Sequence, residues 1–339
     1  MKIAHIMAGA TTGGAELFYE RLTIAMGLGG DEVLPVIRRD PGRAQRLRAG
    51  GLAPREFGFG GPLDVLTRPR LTAELRRFAP RVAVAWMNRA ARFTPVGDWV
   101  LAGRLGGFYD LSYYRLCDHL IGNTRGIVDW IVSQGWPAER AHYLSNFVPD
   151  MTGADPAVLD VPVGAPIVLA LGRLHSNKAF DVLVRALPHL PGAHAVIAGD
   201  GPERAALLEL AHREHVADRV HLLGWRQDTA ALLAASDVLV CPSRHEPLGN
   251  VVIEGWSSGR PVVAAASAGP VELIRDAVDG LLVPVDDATA LARALDRTLN
   301  DQDCAISLAQ AGRIRYEADF AQASAVARWR EFLATVEKA

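Results

Sequence analysis

Cysteine is scarce in this chain: Cys117, Cys241 and Cys304 are the three in 339 residues, odd in number and far apart. That usage excludes a disulfide framework and offers no metal-ligand spacing, so a reducing compartment is expected. Long apolar runs are also missing. No stretch of 18 apolar residues occurs, and nothing is expected to cross a bilayer as a helix. The opening MKIAHIMAGA is too short, and too soon followed by polar residues, to read as a signal peptide. These absences together predict a cytoplasmic protein.

Net charge is also small, at −2, and no nucleic-acid partner is expected. The small total conceals an asymmetry. Residues 1–150 carry 19 Lys/Arg against 14 Asp/Glu, and residues 151–339 carry 17 against 24. The basic excess lies in Arg38, Arg39, Arg43, Arg46, Arg48 and Arg55, then in Arg68, Arg70, Arg76, Arg77 and Arg81. Such a half could meet the anionic inner face of a membrane or an acidic acceptor, and solvated helix faces would explain it equally well. With 50% hydrophobic and 22% charged residues the composition is that of a globular enzyme. The length exceeds one ordinary core, so two domains are expected.

Short apolar runs alternate with helical periodicity throughout. In the second half they fall at Ile167–Leu171, 193–198, 220–223, Val238–Cys241, 262–264 and Leu281–Val283. This alternation predicts parallel sheets covered by helices on both faces. The first half repeats the plan less regularly, with strands expected at Lys2–Met7, 33–37, Val82–Trp86, 116–123 and 144–148. Residues 149–166, rich in Pro, Asp and Gly, read as a linker. The expected fold class is α/β, two doubly wound Rossmann-like domains, with ligands at the carboxyl ends of the strands. A last helix near 321–336 carries Ala325, Trp329 and Leu333 on one face and should pack.

Four stretches carry chemistry. Gly172-Arg-Leu-His-Ser-Asn-Lys178 leaves one strand with a guanidinium and an ammonium five residues apart. Two such groups can neutralise a diphosphate. Gly199-Asp-Gly-Pro-Glu203 also follows a strand, and its glycines suit either close approach to a ligand or a plain turn. The third is SRHEPLGNVVIEGWSSG, from Ser243 to Gly259, which passes from a buried strand through Pro247 and Gly249 into a helix. A helix start beside a strand end is a ready anion site. Glu254 lies five residues beyond Gly249, roughly 7–8 Å along the axis, about the span from a nucleotide's diphosphate to its ribose. A carboxylate there can accept two hydroxyl hydrogen bonds, and its place in an apolar helix suggests burial. Glu246, before the turn, would face a sugar. The fourth is the glycine loop Gly9-Ala-Thr-Thr-Gly-Gly14, which lacks G-x-G-x-x-G spacing and fits a phosphate- or acceptor-facing loop better than a dinucleotide site.

GRLHSNKAFDVLVRAL, AGDGPER, HLLGW and the E-x7-E pattern of HEPLGNVVIE, followed by GRPVVAAASAGPVELIRDAVDGLLVPVDD, resemble the family 4 (group 1) retaining glycosyltransferases of GT-B fold. The likeness spans about 167–287, with looser echoes in TTGGAE, CDHLIGNT and YLSNFV. The resemblance implies two domains facing a cleft: an acceptor-side domain at 1–155, a nucleotide-sugar domain at 156–318, and a C-terminal helix, 319–339, crossing back to the first. It implies that Arg173 and Lys178 bind the donor diphosphate, Glu246 contacts the transferred sugar, and Glu254 holds the ribose. Backbone amides of Leu248, Gly249 and Asn250 would hold phosphates or sugar. Gly13 and Gly14 would close on the donor, Gly199 and Gly201 would line its site, and Gly224-Trp225 would lie beside the base. Many members carry a histidine after a central strand of the first domain; here the comparable stretches read Trp86-Met-Asn-Arg89 and Arg104-Leu-Gly-Gly-Phe-Tyr109. Asn88, Arg89 and Tyr109 become the acceptor-side candidates, and His119 reads as structural.

The implied reaction moves a hexosyl unit from a UDP-, GDP- or ADP-linked sugar to a hydroxyl of a glycan or lipid-linked acceptor. It would serve cell-surface polysaccharide or lipopolysaccharide synthesis, with no metal and no cofactor beyond the donor. Two other readings stay open, a nucleotide-sugar epimerase of similar fold and a non-catalytic nucleotide- or glycan-binding protein.

Overall fold

The computed structural model describes every residue except 12, 61–63, 337 and 339. The chain divides into two compact units, Met1–Asn146 with Gln322–Ala339, and Phe147–Ala321. Each is a parallel sheet flanked by helices.

In the first unit the described residues form seven strands: β1 (Lys2–Met7), β2 (Glu32–Arg38), β3 (Arg55–Phe57), β4 (Val82–Trp86), β5 (Val100–Leu105), β6 (His119–Gly122) and β7 (Ala141–Tyr143). Their order is β3-β2-β1-β4-β5-β6-β7. Every residue of β4 is buried, as a strand covered on both faces must be. The chain leaves β1 toward β2 on one side and returns to β4 on the other, so the sheet reverses direction between β1 and β4. Helices start where the sequence offers caps: Asp40 accepts from the Arg43 amide at 3.0 Å, and Thr124 from the Ile127 amide at 3.1 Å.

Two first-unit readings need correction. The strand expected at 144–148 lies earlier, at Ala141–Tyr143, paired to β6 with Leu120 opposite Ala141. Strand β5 was hidden by Gly103 and Arg104, which break its apolar pattern. Gly103 is required there, because a Cβ would meet the Tyr114 ring at 2.5 Å and Cys117 Sγ at 3.0 Å.

The last helix, Gln322–Thr335, belongs to the first unit. Ala325, Trp329 and Leu333 are all buried, as their shared face requires. Trp329 stacks on Trp86 with ring centroids 6.1 Å apart and planes at 9°. Arg330 donates to Asp31 at 2.9 Å and to the Gly29 carbonyl at 2.7 Å.

The second unit holds β8 (Ile167–Leu171), β9 (His194–Ala198), β10 (Val220–Gly224), β11 (Val238–Cys241), β12 (Val262–Ala265) and β13 (Leu281–Val283) among the described residues. Their order, β10-β9-β8-β11-β12-β13, reverses between β8 and β11. Residues 149–166 are not a free tether. Met151 is buried, Ala157, Leu159 and Val161 pack on the second unit's core, and the Ala157 amide donates to the Ala231 carbonyl at 2.9 Å. Their polar composition concealed these spaced apolar anchors.

Candidate functional site

The loops after β8 and β11 flank the reversal point of the second sheet, where an open α/β sheet places its ligand. After β8, Gly172 adopts φ 141°, and the Lys178 side chain lies across the space its Cβ would take, with Cε 3.3 Å from that position. Ser176–Lys178 form one tight turn, ended by Ala179 at φ 52°. Arg173 is exposed on this loop, with no polar partner recorded among the described residues.

After β11, Ser243 and Glu246 are buried, and Glu246 accepts a hydrogen bond from Lys178 Nζ. Burial opposes the lysine's charge. The Glu246 carboxylate outweighs it, with smaller contributions from Cys241 and Glu254, and holds the ammonium above its ordinary range. Gly249, at φ 87°, caps the helix Asn250–Ser257. A side chain there would be strained by that φ and would stand 3.2 Å from the Leu273 side chain, so glycine suits the turn into the helix. Glu254 is half-buried on this helix, less enclosed than its apolar neighbours suggested. Its charge adds the smallest of the contributions that raise Lys178, whose direct partner is Glu246. Leu248 is buried and Asn250 half-buried at the helix entrance.

Gly199 and Gly201 act on the β8 loop. The Gly172 carbonyl stands where a Gly199 Cβ would be, and the Leu174 carbonyl stands at that of Gly201. The Gly172 amide donates to Ala198 O and the Leu174 amide to Asp200 O, each at 3.0 Å. These glycines let two backbones touch, which braces the Arg173 loop. Gly199 also donates to Gly224 O at 2.8 Å, next to Trp225, an exposed aromatic at 69% relative exposure.

Two further residues of this site were not singled out in the sequence. Arg244 donates through Nη1 and Nη2 to the two Asp181 oxygens at 2.8 and 2.7 Å, and through Nη1 to Ser176 O at 2.9 Å. Its Nε reaches Asp286 at 2.5 Å. It therefore ties the Lys178 turn to the Glu246 loop. Gly269 packs behind that loop and donates to Glu246 O at 2.7 Å. An arginine beside a motif glutamate and a glycine in an apolar helix start were the available signals, and both resemble ordinary surface and turn residues.

In the first unit, the Glu16 carboxylate is buried beneath the glycine loop and accepts from the Ala10 amide at 2.9 Å. It fills the space that side chains at Gly9 or Gly13 would need, and Gly14 begins the helix behind it. Thr12 of this loop lies outside the described residues. At the ends of β1, β2 and β4 is a cavity of about 320 Å³, lined by Ala8, Gly9, Ala10, Arg38, Trp86, Met87, Asn88, Arg89 and Tyr109. All three acceptor-side candidates thus share one cavity. Asn88 Oδ1 accepts from Tyr114 OH at 2.8 Å, which orients its amide. Burial raises the Tyr109 phenol, and Glu16 adds to the rise.

No first-unit histidine among the described residues lines that cavity. His5 lies inside β1, accepts from Trp86 Nε1 at 3.1 Å, and is lowered by burial to about 3. His119 shares a hydrogen bond with His142 at 3.0 Å against Phe332, a structural arrangement.

Two doubly wound units, the second bearing a carboxylate–lysine pair and a helix start at its reversal point, have the layout of GT-B enzymes. A family model described as glycosyl transferases group 1 matches residues 165–301. The chain is 37% identical over 99% of both chains to the lipopolysaccharide core biosynthesis glycosyltransferase LpsE of Rhizobium meliloti. It is 34% identical, over 89% of both chains, to LpsD of the same organism, which carries the same description. Among solved structures, Anabaena Alr3699/HepE in complex with UDP and glucose aligns with a TM-score of 0.81 at 21% identity, over 99% of this chain and 100% of that one. The chain belongs to the group 1 glycosyltransferases. No helix among the described residues is long and apolar enough to cross a membrane.

Proposed function

We propose that this enzyme moves a hexosyl unit from a nucleotide-diphosphate sugar, with retention of anomeric configuration, to a hydroxyl of a growing lipopolysaccharide core. The second unit takes the donor and the first unit takes the acceptor. The observation that carries this reading is the pairing of Lys178 with Glu246 at the second reversal point, with Arg173 unengaged on the same loop and Glu254 on the helix that follows. Departure of the nucleoside diphosphate builds negative charge on the β-phosphate. Arg173, Lys178 and the helix start at Gly249 stabilise that charge, and these fixed cations do so without a metal. The hydroxyls of the ribose donate to Glu254. Glu246, set by Lys178, contacts the transferred sugar near the breaking bond, with the amides of Leu248, Gly249 and Asn250 on the phosphates or sugar.

Trp225, exposed after β10, offers a face to the base. Front-face attack by the acceptor, while the diphosphate stays held, yields retention. The full-length relatives named for lipopolysaccharide core biosynthesis support the pathway, and the HepE complex supports UDP as the first nucleotide to try. The basic first half suits work at the inner face of the membrane.

The test is a thermal-shift comparison of UDP, GDP and ADP, since ligand at about 100 times its Kd adds roughly 2.7 kcal/mol. It is followed by transfer from the matching sugar donors to core oligosaccharide with and without EDTA. Protection by one nucleotide and an EDTA-insensitive product of retained configuration are expected. An inverted product would refute the retaining mechanism, and epimerised donor without transfer would replace the reading altogether.

A further inference from the structure

The cavity at the carboxyl ends of β1, β2 and β4 has an electrostatic character that the family reading does not require. Two guanidiniums line it, Arg38 from the end of β2 and Arg89 just after β4. Among the described residues no carboxylate lines it. Both arginines are exposed, and no polar partner for either is recorded among the described residues. Several other arginines of this half behave differently. Arg43 and Arg46 share Glu20, Arg48 pairs with Glu56, Arg55 and Arg77 share Glu74, and Arg81 donates to carbonyls of the last helix. Six of the eleven arginines of that basic stretch are thus engaged within the unit; among the described residues Arg38, like Arg39, Arg68, Arg70 and Arg76, is not, and of these it is Arg38 that lines the cavity, together with Arg89.

The placement suits a single ligand. Strands β2 and β4 flank β1, roughly 9–10 Å apart at the usual strand spacing, a gap two arginine side chains can close around one anion. Tyr109, half-buried, supplies an aromatic wall, and the Asn88 amide, held by Tyr114, can donate to a hydroxyl. Met87 takes φ 64° where the chain turns from β4 into the following helix, an uncommon conformation for a residue with a side chain. Glu16 is the nearby carboxylate, and the Ala10 amide already engages it.

We infer that this cavity binds an anionic sugar, the acceptor's phosphate or carboxylate being clamped by Arg38 and Arg89 while Asn88 and Tyr109 hold the ring. That the bound sugar is the acceptor rests on the proposed function; that the cavity takes an anionic sugar does not.

The test measures binding of glucose, glucose 6-phosphate and glucuronate to the full chain by calorimetry, with inorganic phosphate as a further arm. Wild type, Arg38→Ala, Arg89→Ala and Arg38→Lys are compared, and UDP is titrated into the same samples. Glucose 6-phosphate or glucuronate should bind more tightly than glucose, and whichever binds names the anion as phosphate or carboxylate. Each alanine variant should weaken that binding roughly tenfold or more, the scale of one lost charge-assisted hydrogen bond, and the lysine variant less. Tighter binding of the phosphorylated sugar than of inorganic phosphate would show that the ring is read as well. UDP affinity should be the same in all four proteins, which verifies folding. Equal binding of glucose and its charged counterparts, equal binding by the alanine variants, or no binding of either charged sugar would overturn the inference. Loss of UDP binding in every protein would overturn the donor assignment and leave the anion clamp standing.

Discussion

Replacing Gly269 with alanine tests whether the Glu246 loop is held by backbone contact from behind. Gly269 lies in the helix Ala268–Leu273, and its conformation is one alanine can adopt, so the added methyl group is the whole perturbation. That methyl would stand 2.5 Å from both the carbon and the oxygen of the Leu248 carbonyl and 2.7 Å from Glu246 O. Ordinary contact begins near 3.4 Å, so the loop and the helix must separate by about 0.9 Å, and none of the opposing atoms is a flexible side-chain end. Overpacking of this kind costs about 1–3 kcal/mol. For a unit of this size that lowers the melting temperature by roughly 2–12 °C. The larger effect should be on function, because a shift of about 1 Å at a positioned group can reduce turnover by about a hundredfold. The assays are thermal melting, UDP binding and transfer rate, with Gly192→Ala as control. Gly192 sits at φ 75° with open space around its missing Cβ, so alanine there should lower stability and leave UDP binding intact. Wild-type melting and wild-type transfer in Gly269→Ala would refute the idea that this contact sets the loop.

Glu254→Ala should weaken UDP binding with little change in melting, whereas Glu246→Gln should reduce turnover more than it reduces UDP affinity; calorimetry and initial rates separate the two, and equal UDP affinity in wild type and Glu254→Ala would remove the ribose assignment. Arg244→Ala should lower kcat and raise KM for the donor together by freeing the Lys178 turn, and Arg244→Lys should recover only part, since an ammonium cannot hold both Asp181 oxygens at once. Acid should destabilise the first unit through His5. Its folded value of about 3 lies below the ordinary 6.5, so the unfolded chain takes the proton first. The neutral ring's contribution is therefore complete above pH 6.5 and is lost as pH falls from there toward 3, a loss on the order of several kcal/mol. His5→Gln, which can still accept from Trp86 Nε1, should flatten that part of the melting-versus-pH curve.

The doubly wound plan was legible because buried parallel strands are short continuous apolar runs. Val82–Trp86 and Ile167–Leu171 stand in the structure where their composition put them. Reading failed where packing between elements set the composition. In β5, Gly103 is present because Tyr114 and Cys117 press on the strand, a constraint from residues beyond its end. In 149–166, a few apolar residues among prolines and glycines are enough to seat the segment on the second unit, and no period reveals them.

The two candidate sites differ in legibility for a related reason. In the second unit each loop is short and packs backbone against backbone, Gly199 and Gly201 on the β8 loop and Gly269 on the β11 loop. Such contacts admit no side chain, so they leave fixed glycines beside the charged residues, and the whole appears in the sequence as compact motifs. In the first unit the cavity gathers Arg38, Arg89 and Tyr109 from the ends of different strands. Each of those residues projects into open space, none constrains its neighbours in sequence, and no local pattern is written. Asn88 and Arg89 were found because they follow a recognisable central strand. Arg38 appeared only as one arginine among many, and it stands out once its place at the cavity is known. What marks it is the cavity wall it shares with Arg89, a property visible only after the chain has folded.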